Sequence, residues 1–143
     1  MKVNFFTEDV DFPFKARGIK TLLRSYIKKL IECENKKLGE INIIFCSDEY
    51  LIEINKRYLN HDYYTDVITF DYSELPKISG DIFISTDMVH KNAEEYTSSF
   101  KQELYRVIFH GVLHLCGYKD KLLNEEKLMR EKENYYLELN MIG

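Results

Sequence analysis

Residues 100–120 read FKQELYRVIFHGVLHLCGYKD, and this stretch decides how the rest of the chain is organised. Between Phe100 and Cys116, apolar residues occupy nearly every side of a helical pattern, which is typical of a helix that other elements bury on several sides. Gly117 can adopt a positive φ and end this helix in a tight turn. The pattern therefore predicts a central helix, followed at once by a turn that reverses the chain.

Two histidines on this helix have the spacing of metal ligands. His110 and His114 are four residues apart, so they lie on one helix face, one turn apart. After the turn, Asp120 can offer a carboxylate to the same ion. Two histidines and one carboxylate leave a fourth tetrahedral position open for water, as in catalytic zinc sites. We expect a metal site at His110, His114 and Asp120 that holds zinc, with another divalent transition metal as an alternative.

Each of these residues also has a simpler interpretation. The histidines can be hydrogen-bonded core residues, and Asp120 can be a solvated acid between Lys119 and Lys121. Burying two imidazoles among aliphatic side chains costs free energy unless each finds a partner. Because both histidines, the glycine and the acid occur together, the sequence favours the metal site.

The hydrophobic periodicity of the remaining chain predicts an alternation of strands and helices in the order β-α-β-α-β-β-α-α-α. We expect one α+β domain over residues 1–143, in which about five helices pack on a mixed sheet of about four strands. The motif helix is expected to be the central, metal-bearing one. The predicted strands are residues 3–6, 41–46, 67–71 and 80–85, and the predicted helices are residues 16–33, 48–58, 86–96, 100–116 and 124–139.

The composition is that of an ordinary globular domain. The chain has 143 residues, of which 45% are hydrophobic and 31% charged. No apolar run approaches the ~20 residues of a membrane span, and the N-terminal residues turn acidic too early for a signal peptide. The three cysteines form no CxxC pair, so we expect reduced thiols in a cytoplasmic protein.

The charge is unevenly distributed. The net charge is −4, yet residues 1–31 contain seven basic and three acidic side chains. Lys20, Arg24 and Lys28 line one face of the predicted helix 16–33. This basic row is a candidate contact for RNA phosphates, and its alternative is a solvated helix face.

The motif spacing is close to that of the metzincin proteases, H-E-x-x-H-x-x-G-x-x-H. In those proteases the glutamate after the first histidine is the general base. Here that position is Gly111, so the ligand scaffold is present without the peptidase base. The sequence therefore ranks a metalloprotease low. We also expect Gly111 to leave space beside the metal for a bulky substrate.

Three blocks of the chain resemble the YbeY family. HGVLHLCGY at residues 110–118 resembles the family signature H-G-x-L-H-L-x-G-Y-D-H. Upstream, TDVITF at residues 65–70 resembles T-D-V-L-S-F, and GDI at residues 80–82 is similar to the family's G-D-I. The resemblance implies a compact α+β fold with zinc at the histidine motif. It also implies a metal-dependent single-strand endoribonuclease that acts in ribosomal RNA maturation, near the 3′ end of the small-subunit RNA.

Position by position, the family's third histidine falls on Asp120 and its preceding aspartate on Lys119. A carboxylate is a competent zinc ligand. The family's arginine before T-D-V falls on Leu59, and Arg57 two positions away is a further candidate RNA contact.

The sequence leaves the roles of two aspartates and of the metal open. For Asp66 and Asp81 we favour strand-end hydrogen bonds to backbone amides; the alternative is that they orient a ligand histidine or line the groove.

No side chain stands out as the general base, so the chemistry is assigned to water at the open metal position. An alternative function is a non-catalytic ribosome-assembly factor that binds RNA and has a structural metal. In both cases single-stranded RNA and the small ribosomal subunit are the expected partners.

Overall fold

The computed structural model describes residues 2–142, and strands and helices follow each other there in the predicted order. Within these residues four strands form one mixed sheet and five helices accompany it, so the predicted α+β class is confirmed. The elements are β1 (Lys2–Thr7), α1 (Ile19–Cys33), β2 (Lys37–Cys46), α2 (Asp48–Leu59), β3 (Val67–Asp71), β4 (Lys77–Ser85), α3 (Thr86–Glu95), α4 (Phe100–Leu115) and α5 (Leu123–Leu139).

Local side chains set where several helices begin. Serine hydroxyls cap α2, α3 and α4, because each accepts a hydrogen bond from a backbone N–H in the first turn of its helix. Helix α1 begins at Ile19 rather than at the predicted residue 16, since Gly18 has a φ of 77° and interrupts the helical backbone. The capping residues are Ser47, Ser85 and Ser99.

The sheet has the strand order β1-β2-β4-β3. The pairs β1–β2 and β2–β4 are parallel, whereas β3 pairs with β4 in the antiparallel sense. Alternate residues of β2 and β4 are fully buried and form one core with α1 and α4. On the other face, α2 covers a smaller cluster that includes Cys46, Leu51 and Ile68. Among the helices within residues 2–142, none is both long and apolar enough to cross a membrane.

Helix α4 approaches the sheet closely because two glycines lie at the contact. A Cβ atom on Gly111 would lie 2.7 Å from Ile82 Cγ2, and one on Gly80 would lie 2.8 Å from Leu115 Cδ2. The expectation that Gly111 leaves space for substrate is therefore wrong. Gly111 is buried against β4, and its lack of a side chain lets α4 pack tightly on the sheet.

Candidate metal centre

The end of α4 brings the three expected ligands together. Gly117 has a φ of 111°, and the Tyr118 amide donates to the carbonyl of Leu113 at 3.1 Å, which closes the helix in a Schellman-type turn. The reversed chain then carries Asp120 back to the histidines. Lys119 and Lys121 remain exposed on either side.

The inward atoms of the three residues form a small triangle. His110 Nε2 lies 3.0 Å from His114 Nε2 and 3.2 Å from Asp120 Oδ2, and His114 Nε2 lies 3.3 Å from the same oxygen. In a tetrahedral zinc site with bonds of about 2.0–2.2 Å, neighbouring ligand atoms are roughly 3.3–3.6 Å apart. The observed triangle is slightly tighter and has the proportions of one face of such a tetrahedron.

The outward nitrogens of both histidines have partners that fix their tautomer. His114 Nδ1 lies 2.9 Å from the backbone carbonyl of Tyr118, which can only accept a hydrogen bond, so this nitrogen donates. His110 Nδ1 donates to Glu133 Oε2 at 2.6 Å. When the imidazoles are neutral, both Nε2 atoms and the Asp120 oxygen are therefore acceptors that face one another. A shared cation satisfies this arrangement, and the donor set suits zinc.

Glu133 belongs to the site although the sequence analysis missed it. It lies on α5, is 5% exposed, and accepts a hydrogen bond from Arg106 Nη1 at 3.1 Å through the oxygen not used by His110. The signal for it was present in the sequence. Met129, Glu133 and Tyr136 follow a helical stripe whose other members are apolar, and an acid on a buried stripe needs a partner.

A second carboxylate, which is partly buried, holds the turn after α4. Glu34, just after α1, accepts a hydrogen bond from the Tyr118 hydroxyl at 2.6 Å, and it also accepts from Tyr136 and Lys132. Burial opposes ionisation of Glu34, but these donors outweigh burial and lower its pKa below the ordinary value. Glu34 therefore anchors Tyr118, whose carbonyl orients His114.

In the metal-free state the site favours a proton on His110. Burial opposes the charged imidazolium, but hydrogen bonds to Asp120 and Glu133 outweigh it and raise the pKa of His110 to about 9. The hydrogen bond from His110 in turn lowers the pKa of Asp120 to about 2 against the opposing effect of burial. A metal ion must therefore displace a proton from His110 when it binds near neutral pH.

This proton competition predicts that stability depends on pH differently with and without metal. His110 has a folded-state pKa raised above its ordinary 6.5, so its contribution to stability is complete below pH 6.5 and is lost as the pH rises through about 9. Zinc binds the deprotonated imidazole, so the zinc-bound protein does not lose stability in this way, and the stabilisation that zinc adds grows as the pH rises from 6.5 to about 9. Urea unfolding at pH 6, 7.5 and 9, with chelator or with zinc, measures both trends. A His110→Gln variant is the control and should flatten them; equal slopes with and without zinc would contradict the prediction.

A cavity of about 730 Å³ adjoins the triangle, between α3, α4 and α5. His110 and Asp120 line one end of it, and Asp66 lines it as well, where Asn92 Nδ2 donates to Asp66 Oδ2 at 3.2 Å. Burial raises the pKa of Asp66. Asp66 therefore lines the groove, which is the alternative to the favoured strand-end hydrogen bonds, and backbone amides of Asp66 and Val67 also favour its ionised form as the favoured interpretation expects. Asp81 instead accepts a hydrogen bond from Asn42 at 2.9 Å across the sheet and does not line this cavity, as described for residues 2–142.

The four basic residues proposed from the sequence lie elsewhere. Lys20 and Arg24 lie over aromatic rings, at 5.0 Å from the Phe12 centroid and 5.2 Å from the Phe5 centroid, and Arg24 Nε also donates to the Val3 carbonyl. Lys28 and Arg57 are exposed on α1 and α2. All four are within the described chain, and none lines the cavity beside His110. Their contact with RNA stays a prediction.

Three other basic residues line the cavity, and the sequence did not single them out. They are Arg106, Lys127 and Arg130.

Comparisons with known proteins agree with this architecture. The family model described as endoribonuclease YbeY matches residues 4–140. Relatives of that name from Parabacteroides distasonis and Cytophaga hutchinsonii are 48% and 51% identical, over 94% of this chain in both cases and over 92% and 93% of their own lengths. The solution structure of TM1509 from Thermotoga maritima superposes with a TM-score of 0.66 at 28% identity, covering 96% of this chain and 88% of that one. The chain therefore belongs to the YbeY endoribonuclease family.

Proposed function

We propose that this protein is a zinc-dependent endoribonuclease that cleaves single-stranded RNA during maturation of the small-subunit ribosomal RNA, near its 3′ end, in the cytoplasm. The observation that carries the metal dependence is the triangle of His110, His114 and Asp120, in which three acceptor atoms converge at 3.0–3.3 Å. Family membership supports RNA as the substrate. The proposal treats residues 1–143 as one hydrolase domain and the small ribosomal subunit as the partner.

The residues of the chain provide the frame for this chemistry. A zinc ion held by His110, His114 and Asp120 would supply Lewis-acid chemistry, which would activate water or polarise a phosphate oxygen. Glu133 and the Tyr118 carbonyl hold the two imidazoles in the tautomer that presents Nε2 to the ion. The adjoining cavity, which His110 and Asp120 line, offers room for the substrate beside the triangle.

The packing of Gly111 disfavours a peptidase. In the H-E-x-x-H proteases the residue after the first histidine is the general base. Here that position faces Ile82 of the sheet at a distance that leaves no room for a side chain. Function as a peptidase would need a base from another element.

Metal removal tests the proposed function directly. Protein purified without a histidine tag should contain about one equivalent of zinc by elemental analysis and should cleave a labelled single-stranded RNA. Treatment with a chelator should abolish cleavage, and added zinc should restore it. A duplex of the same sequence is the control substrate and should remain intact.

Two outcomes would contradict this function. Equal cleavage before and after complete zinc removal would exclude a metal-dependent nuclease. A full equivalent of bound zinc without any cleavage of single-stranded RNA or of a small-subunit precursor transcript would favour the non-catalytic assembly factor. Mapping the ends of the precursor products tests the proposed position near the 3′ end.

A further inference from the structure

The cavity between α3, α4 and α5 has features beyond those needed to hold a metal ion. We propose that it binds the nucleotide next to the scissile phosphate, with the base at a mouth formed by Tyr96 and Arg130 and the phosphate near Lys127. This inference rests on the proposed function and identifies where the RNA strand enters the site. The cavity volume of about 730 Å³ is within the range of small-ligand pockets, and His110 and Asp120 line it.

The mouth offers a flat surface for a base. Tyr96 follows α3 and is 58% exposed, and the Arg130 guanidinium carbon lies 5.9 Å from its ring centroid. Leu123, which is 83% exposed, lines the same cavity. Aromatic rings and guanidinium planes are the surfaces on which single-stranded bases stack.

Charges at the mouth suit a phosphate. Lys127 is exposed, and within residues 2–142 it has no carboxylate oxygen within 4.0 Å. Half of the Arg130 side chain is exposed as well, although Nη1 lies 3.8 Å from Glu133. These two side chains are therefore accessible to an anionic strand, whereas the Arg106 side chain is only 15% exposed and is paired with Glu133 and Glu103.

The carboxylates of the wall do not repel a phosphate as strongly as their number suggests. Glu133 and Glu103 pair with Arg106, and Asp120 pairs with His110. Asp66 accepts a hydrogen bond from Asn92 Nδ2. The amide oxygen and the second N–H of Asn92, which lines the cavity, are polar positions for the edge of a base. The anionic groups near His110 are thus partnered, whereas Glu126 of the cavity lining has no ion pair within residues 2–142. Lys127 is the cation of the mouth that has no carboxylate partner within the same residues, and Arg130 lies beside it.

A pair of matched double variants tests this subsite. The test variant is Tyr96→Ala/Lys127→Ala, and the control variant is Lys91→Ala/Tyr135→Ala, which removes an exposed lysine from α3 and an exposed tyrosine from α5 outside the cavity. Fluorescence anisotropy with a labelled single-stranded RNA octamer in chelator measures binding without cleavage. The test variant should bind at least fivefold more weakly than wild type, while the control binds normally and all three proteins load zinc equally.

Charge reversal and chemical-shift mapping give a second measurement. Lys127→Glu should weaken octamer binding and reduce its salt dependence, and titration of wild type with AMP should shift the amide signals of Asn92 and Leu123. Equal octamer affinity of the test and control variants, or AMP shifts confined to α1, would overturn the subsite. If wild type binds the octamer through these residues but never cleaves RNA, the proposed function fails and the cavity stands only as an RNA-binding site.

Discussion

Replacement of His114 by alanine is expected to remove zinc binding and RNA cleavage together while the fold is retained. His114 Nε2 lies 3.0 Å from His110 Nε2 and 3.3 Å from Asp120 Oδ2, so the substitution removes one corner of the triangle. Two remaining ligands do not hold a zinc ion at neutral pH against solvent. The loss of zinc affinity should therefore exceed roughly 100-fold, which is the largest usual effect of removing a residue that only hydrogen-bonds to a ligand. The His114 side chain is 23% exposed, and its hydrogen bond to the Tyr118 carbonyl is lost as well, so some loss of stability is expected beside the loss of zinc.

Elemental analysis, cleavage of labelled RNA and thermal unfolding of the metal-free proteins measure these effects separately. His61→Ala is the matched control, because His61 is an exposed histidine that stacks on Tyr63 at 5.1 Å, outside the triangle. It should keep zinc and activity. One equivalent of zinc in the His114→Ala variant, or cleavage at the wild-type rate, would contradict the assignment of this ligand.

Asp120 allows a related comparison. Asp120→Ala should weaken zinc binding, whereas Asp120→His should keep it, because imidazole and carboxylate are both competent zinc ligands. Equal zinc affinity of wild type and Asp120→Ala would mean that this residue only pairs with the histidines.

The second large effect is expected at Glu133. Replacement by glutamine should lower zinc affinity about 10- to 100-fold, which is the usual consequence of losing the partner behind a ligand histidine. The carboxylate accepts the Nδ1 proton of His110 at 2.6 Å and so keeps Nε2 free for the ion. A glutamine amide that donates to Nδ1 instead would move the proton to Nε2, where it blocks the metal.

Competition of the protein with a chromophoric chelator for zinc measures this affinity. Glu131→Gln is the matched control, since Glu131 is an exposed acid on the same helix. Unfolding of the metal-free proteins separates a loss of stability from a loss of affinity, because Glu133 also pairs with Arg106. If Glu133→Gln binds zinc as tightly as Glu131→Gln does, Glu133 only balances the charge of Arg106.

Features that depend on neighbouring residues were predictable from the sequence. The spacing of His110 and His114 fixes their common face through helix geometry alone, and the missing side chain of Gly117 permits the positive φ that ends the helix. The alternation of apolar residues predicted the element order, and the turn after α4 predicted the return of Asp120. In each case the deciding interaction spans only a few residues of the chain.

Partners from distant elements were decided by the tertiary structure. Glu133 is 23 positions from His110, and Glu34 is 84 positions from Tyr118. Which of the chain's carboxylates reaches a given donor depends on how α1 and α5 pack beside α4, and no local spacing encodes that packing. The same reason explains why Gly111 faces the sheet instead of the metal, and why the cavity takes its cations from α4 and α5 and not from the basic row on α1.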